Sequence, residues 1–245
     1  MRFSICIPTF NREKLILRAI RSCLQQPGAD FEVVVVDDGS TDETVREIES
    51  LNAPRIRLVR HQVNRGQSAA RNLSVDVACG EWIVMLDSDD ELLPNGLDFI
   101  RQRILACEED FDCLTFMYSR EDGRCSPDPA LTDGPLTYSD YLRNLDQQRF
   151  YDALFCVRRT SLQRVPWQPW HMAGSVLQRL DLLQELRVAT SSQLVGLIHL
   201  DADNRISHVR RGPDLARPAG VELGEEMDKI LRRHGPQLRS TAPRT

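Results

Sequence analysis

The first half of the chain alternates short apolar runs with segments whose apolar residues recur at helical spacing. Phe3–Ile7 reads as a strand ended by Pro8. Leu15, Ile16, Ala19, Ile20 and Cys23 then put an apolar stripe on one side of a helix, with Asn11 as its predicted N-cap and Pro27-Gly28 as its stop. Phe31–Val36 is rich in valine without alternation, which predicts a strand buried on both faces. A helix opened by Thr41 or Asp42, with Val45, Ile48 and Leu51 inward, leads to a strand over Ile56–Val59. A helix over Ser68–Ala78 and a strand over Trp82–Leu86 complete the series. Strands separated by helices imply right-handed crossovers and a mostly parallel sheet.

The pattern weakens further on. Pro94 suits the first turn of a helix from Gly96 to about Cys107, and Cys113–Tyr118 reads as a strand. Ser119–Pro135 dissolves into Gly, Pro, Asp and Ser and reads as a surface loop. Tyr138–Leu145 and Ser175–Leu186 are expected to be helical and Ala153–Val157 a strand. His199–Pro218 is polar and reads as loops, Val221–Arg233 is weakly helical, and 236–245 is expected to be a disordered tail. The expected organisation is therefore one domain over 1–235, with a clear first half (1–120) and a less regular second half (121–235).

Composition narrows the class. The chain has 245 residues, 31 Lys plus Arg against 36 Asp plus Glu, and a formal charge of −5. A chain this long buries about 70% of its unfolded surface, so a core needs no disulfide or structural metal. Mild acidity argues against nucleic acid as a partner, which requires a basic face. No apolar run approaches the ~18 residues of a membrane span, and Met1–Pro8 breaks too early for a secretory leader. The seven cysteines are odd in number, dispersed and without a Cys-x-x-Cys pair, as expected for small hydrophobes in a reduced cytoplasmic protein. Contact with the inner face of a membrane stays open; the Arg210-Arg211 and Arg232-Arg233 pairs fall short of a polybasic cluster.

Three polar clusters follow predicted strands: Pro8-Thr9-Phe10-Asn11-Arg12, Asp37-Asp38-Gly39-Ser40-Thr41-Asp42 and Asp87-Ser88-Asp89-Asp90. In an open parallel sheet the strand ends line the ligand crevice, so all three are expected at one edge. Adjacent aspartates repel unless a cation or ligand donors compensate. Hard carboxylate oxygens suit Mg²⁺ or Mn²⁺, usually one or two of them plus substrate phosphate. Asn64–Asn72 adds Arg65, Arg71 and the start of a helix, where a diphosphate would find positive charge and free amides. Asp38 is placed to accept hydrogen bonds from a base or ribose. The set reads as a nucleoside-diphosphate site with a divalent cation. Neither Gly-x-Gly-x-x-Gly after the first strand nor Gly-x-x-x-x-Gly-Lys-[Ser/Thr] occurs.

The order Pro-Thr-Phe-Asn-Arg, Val-Val-Val-Asp-Asp-Gly-Ser-Thr-Asp-Glu-Thr, Asn-Arg-Gly-Gln-Ser-Ala-Ala-Arg-Asn and Leu-Asp-Ser-Asp-Asp resembles the family-2 glycosyltransferases over residues 2 to about 95. The resemblance implies a GT-A fold, an α/β architecture with a mostly parallel central sheet flanked by helices. It also implies a nucleotide-sugar donor, such as a UDP-sugar, a metal and inversion at the anomeric carbon. The acceptor would be a hydroxyl of a glycan, lipid-linked or otherwise, in bacterial surface polysaccharide synthesis. By position, Pro8, Thr9 and Asp38 would line the nucleoside pocket, with Asn11, Arg12, Arg65, Arg71 and Ser88 around the donor. Asp87 would meet ribose or metal-bound water, and Asp89 would ligate the metal directly. His199, between polar segments, is a candidate additional metal ligand on a closing lid.

One part of the family pattern is missing. Inversion needs a base that takes the acceptor proton, in the family commonly an Asp of a Glu-Asp motif. The corresponding stretch, Val165–Ser175, has no carboxylate. Candidates are Asp181 in the following helix, His171, whose type suits the role, or a residue elsewhere, for example Asp152. Trp167 and Trp170 are candidates either for stacking on an acceptor sugar or for the core. A nucleotide-sugar-binding protein with little catalysis is a second reading, and a nucleotidyltransferase a third.

Overall fold

In the computed structural model the described residues are 1–28, 30–107, 110–128, 130–141, 152–169 and 176–201. His171, Trp170, both arginine pairs and the expected tail lie outside them.

The first half follows its periodicity. Strands β1 (Phe3–Thr9), β2 (Phe31–Asp37), β3 (Ile56–Arg60) and β4 (Trp82–Met85) are joined by helices α1 (Ile16–Leu24), α2 (Thr44–Ser50) and α3 (Gln67–Val77). These four strands are mutually parallel in the order β3-β2-β1-β4, with Phe3 opposite both Phe31 and Trp82. Asn11 is not the cap of α1. It sits at φ 50°, and the helix opens at Ile16 after a turn in which the Arg12 carbonyl accepts from the Leu15 and Ile16 amides.

The second half departs more. After Asp87 the chain enters a short strand, β5 (Asp90–Leu92), before α4 (Gly96–Ala106). β6 (Cys113–Arg120) carries a β-hairpin partner, β7 (Cys125–Ser126), and β8 (Gly134–Leu136) pairs elsewhere, both inside the stretch expected to be loop. β9 (Leu154–Arg158), α5 (Arg159–Arg164), α6 (Val176–Glu185) and β10 (Val188–Ile198) follow. β9 is antiparallel to both β4 and β6, whereas β10 is parallel to β6 and antiparallel to β5. β10 escaped the pattern because it bulges: its register shifts between Thr190 and Gly196, and residues 192–194 are exposed, which breaks the alternation that marks a strand.

Helices cover both faces. One face packs Ile5, Val33, Val84 and Phe116 against α1 and α4 through Ile16, Ile20, Leu97 and Ile100. The other packs Cys6, Val34, Ile83 and Val157 against Ala70 and Val75 of α3, Leu162 of α5 and Leu182 of α6. All seven cysteines are free, and Cys6, Cys23, Cys113 and Cys156 are core residues. Trp167 belongs to the second core, its backbone amide and carbonyl both bonded to the Asn72 side chain. Among the described residues no helix is long and apolar enough to cross a membrane.

Two internal ties place β5. The Ser22 hydroxyl of α1 accepts from the Leu92 amide, and the Gln26 amide group bridges the Leu93 carbonyl and the Leu97 amide. Gly196 of β10 lies against the buried ring of Tyr118, where a Cβ would come within 2.4 Å of ring carbons. Gly196→Ala is therefore expected to lower the melting temperature by about 3–10 °C, the usual cost of overpacking in a chain of this size. A thermal melt at the wild-type value would refute this packing.

Candidate active site

Because β1, β2 and β4 run parallel, their C-terminal ends deliver Thr9, Asp37-Asp38 and Asp87–Asp90 to one edge of the sheet. Pro8 and Thr9 are buried at the end of β1, and the Thr9 hydroxyl is a buried group with no hydrogen-bond partner among the described residues. Asn11 and Arg12 brace the neighbouring loop. The Asn11 amide donates to Ser40 Oγ (2.8 Å), its side-chain oxygen accepts from the Thr41 amide (2.9 Å), and the Arg12 amide donates to Thr44 Oγ1 (2.7 Å).

Asp37 is fully buried and caps its own turn through the Ser40 amide, with Arg60 3.6 Å away. Asp38, 3% exposed, organises the adjacent loop. Its Oδ1 accepts from the Arg65 amide (2.9 Å) and sits 2.7 Å from His61 Nδ1, while Oδ2 accepts from the Gly66 amide (2.8 Å). Gly39 is required beside it: φ is +79°, and a Cβ would stand 2.8 Å from the Asn64 amide nitrogen. This carboxylate thus holds residues 61–66 against the end of β2 and presents the first turn of α3, with the exposed Arg65 side chain, to the crevice. His61 had no mark in the sequence, since nothing local signals a partner 23 residues away.

Arg71 lies beyond the first turn of α3. It is 4% exposed, its Nη2 donates to Asp87 Oδ1 (3.0 Å), and its guanidinium faces the Trp167 ring at 5.7 Å. Asp87 is half-exposed, Ser88 is buried and Asp89 is half-buried. Two carboxylates on one turn match the sparse way in which Mg²⁺ or Mn²⁺ is held, with substrate phosphate completing the shell. Among the described residues no group of three or more His, Cys, Asp or Glu is arranged to hold a cation. These residues suit a cation that arrives with phosphate.

The turn is also tied from behind. Arg18 of α1 donates to the Asp89 carbonyl (3.1 Å) and in a fork to both oxygens of Asp201 (2.8 and 2.9 Å). That fork holds the Asp201 carboxyl down at about 2. His199 follows β10 and stands between two carboxylates, with Nε2 2.5 Å from Glu91 and Nδ1 against Glu121. Neither Arg18, Glu91 nor Glu121 was picked out by spacing. Tyr118 lies beneath the aspartates; burial, and then the charges of Asp90, Asp87, Asp152 and Asp89, push its phenol well above its ordinary value. Asp181 is 5% exposed on α6 between the core residues Leu180 and Leu182.

The family model described as Glycosyl transferase family 2 matches residues 4–167. The succinoglycan biosynthesis protein ExoO of Rhizobium meliloti (strain 1021) is 44% identical over 91 residues, 37% of this chain and 26% of that protein. The GalNAc(5)-diNAcBac-PP-undecaprenol beta-1,3-glucosyltransferase of Campylobacter jejuni is 34% identical over 105 residues, 42% of this chain and 34% of that protein. The chain thus spans less than half the length of these relatives. The crystal structure of S. aureus TarS 1-349 in complex with UDP-GlcNAc superposes with a TM-score of 0.73 over 91% of this chain and 66% of that one, at 24% identity, which shows a shared fold.

If Asp38 carries the 61–66 loop, Asp38→Ala strands the Arg65 amide and leaves the Gly66 amide only Asn64 Oδ1, at a cost on the order of 3 kcal/mol. Hydrogen exchange at those amides should then speed up by about 100-fold. Wild-type protection there would show the loop to be held by something else. Arg18→Ala is expected to raise exchange at the Asp87–Glu91 turn, leaving α3 unchanged.

Proposed function

The chain belongs to glycosyl transferase family 2, and on that premise we propose that it moves a sugar from a nucleoside-diphosphate donor to a hydroxyl acceptor with inversion. The observation that carries this is the convergence of Thr9, the Asp38-held loop and the Asp87–Asp89 turn on one sheet edge, opposite the buried Arg71. The donor is a UDP-sugar and the acceptor a growing bacterial surface glycan. UDP and UDP-GlcNAc in the complexes of the like-folded TarS support the donor, and succinoglycan biosynthesis and glucosyl transfer to an undecaprenol-linked glycan in the names of relatives support the acceptor.

The residues divide the work as follows. Pro8 and Thr9 form the floor under the nucleoside, and the Thr9 hydroxyl, lacking a partner, is free to bond it. Asp38 offers its remaining lone pairs to the base while its loop presents the amides at the start of α3 to phosphate. Arg65 reaches the diphosphate from the exposed side, and Arg71 keeps the Asp87 carboxylate in place from the buried side. Asn11 and Arg12 keep the two loops in register, and Ser88 sits within the aspartate turn. Mn²⁺ or Mg²⁺ bound by Asp89, with Asp87 beside it, would supply Lewis-acid neutralisation of the charge that gathers on the leaving diphosphate. For His199 to serve as a further ligand, its Nε2 must first leave Glu91.

The base is the weak point of the family pattern here. Asp181 is buried inside a helix, and His171 lies outside the described residues. A nucleotide-sugar-binding role with little turnover is the second reading, favoured by the burial of Asp181.

Two measurements test the proposal. Calorimetry should show UDP binding that strengthens with Mn²⁺, and Asp89→Ala should weaken the Mn²⁺-dependent part by about 100-fold or more. Equal Mn²⁺-linked affinity in that variant would remove Asp89 from the site. Incubation with a panel of UDP-sugars and acceptor glycans should release UDP; binding without release for every pairing would favour the second reading.

A further inference from the structure

Sheet topology brings a further carboxylate, Asp152, to the aspartate edge. β9 enters antiparallel between β4 and β6, so its N-terminal end lies at the edge where β4 releases Asp87. Met85 faces Phe155 on one side and Phe116 faces Leu154 on the other. Continuing both registers by two or three residues sets Asp152 level with Ser88 and Tyr118. The charges of Asp90, Asp87, Asp152 and Asp89 all act on the Tyr118 phenol, in keeping with that register.

The other carboxylates of this edge are committed. Asp37, Asp38 and Asp90 are buried, with 0%, 3% and 6% exposure. Glu91 and Glu121 face the two ring nitrogens of His199. Asp87 receives Arg71, and Asp89 is proposed for the cation. Asp152 is exposed, and no hydrogen bond or ion pair involves it among the described residues. A solvated carboxylate one strand over from the leaving-group turn is what an inverting displacement needs, since its proton acceptor must stand apart from the departing diphosphate.

Resting on the transferase reading above, we propose that Asp152 is the catalytic base. The acceptor O–H bond breaks and its proton passes to an Asp152 carboxylate oxygen. The acceptor oxygen bonds to the anomeric carbon as the bond from that carbon to the diphosphate oxygen breaks, its electron pair leaving on the diphosphate. The base is thus delivered by β9, and the carboxylate absent from Val165–Ser175 has its substitute earlier in the chain.

The test uses the full chain with Mn²⁺ and the UDP-sugar and acceptor that the wild type turns over in the panel. Asp152→Asn should lower kcat by at least about 100-fold, with donor KM, calorimetric UDP affinity and melting temperature within about two-fold or a degree of wild type. Asp152→Glu should recover part of the turnover, and formate should partly rescue Asp152→Ala, effects that a merely structural residue would not give. Turnover by Asp152→Asn within three-fold of wild type overturns the assignment. So does a loss confined to donor KM, which would make Asp152 a donor contact. If the wild type binds UDP but turns over no donor, the transferase reading falls and the role of Asp152 with it; turnover by the wild type together with an active Asp152→Asn defeats the base assignment alone.

Discussion

The crevice depends on one constraint, the parallel hydrogen bonding of β1 to both β2 and β4. A strand paired on each side by parallel neighbours sends three adjacent loops to the same edge, whatever those loops contain. Burial on both faces makes that register rigid. Slipping β1 by one residue would exchange Ile5 and Ile7 of one core for Cys6 of the other. Thr9, Asp38 and Asp87 therefore stand beside one another as a by-product of core packing, and the family's chemistry is written onto a position that the core has already set.

That position concentrates negative charge. Asp37, Asp38, Asp87, Asp89 and Asp90 crowd one edge, and the protein answers with arginine from behind. Arg71 reaches Asp87 through the second core, Arg18 binds the Asp89 carbonyl from α1, and Arg60 flanks Asp37. The buried arginine is the more telling, because a guanidinium with 4% exposure is costly unless a carboxylate compensates it. Amides do the same for Asp38. The net charge of −5 thus conceals a site whose acids are mostly spoken for, with the half-exposed Asp87 and the exposed Asp152 still reaching solvent.

Legibility followed the range of the interactions. β1 to β4 and their helices were readable because valine runs and helical spacing are local signals, and the three polar clusters were readable as strand-end chemistry. Asn11 misled as a cap because its side chain is used across the crevice by Thr41, 30 residues away. β5 was unreadable because it exists by pairing with β10, about a hundred residues away, and β10 because its bulge hides the alternation.

The amino-acid sequence by itself determined the first half: a parallel sheet, three polar strand ends and their order, all specified by neighbours in the chain. Only the tertiary structure decided which acids remain available. Arg18 meets Asp201 across 183 residues and His199 meets Glu91 across 108, and β9 brings Asp152 to the aspartate edge from the second half of the chain. Such pairings carry no period and no local propensity. They follow from how the sheet closes its second half, where burial and register choose the partners.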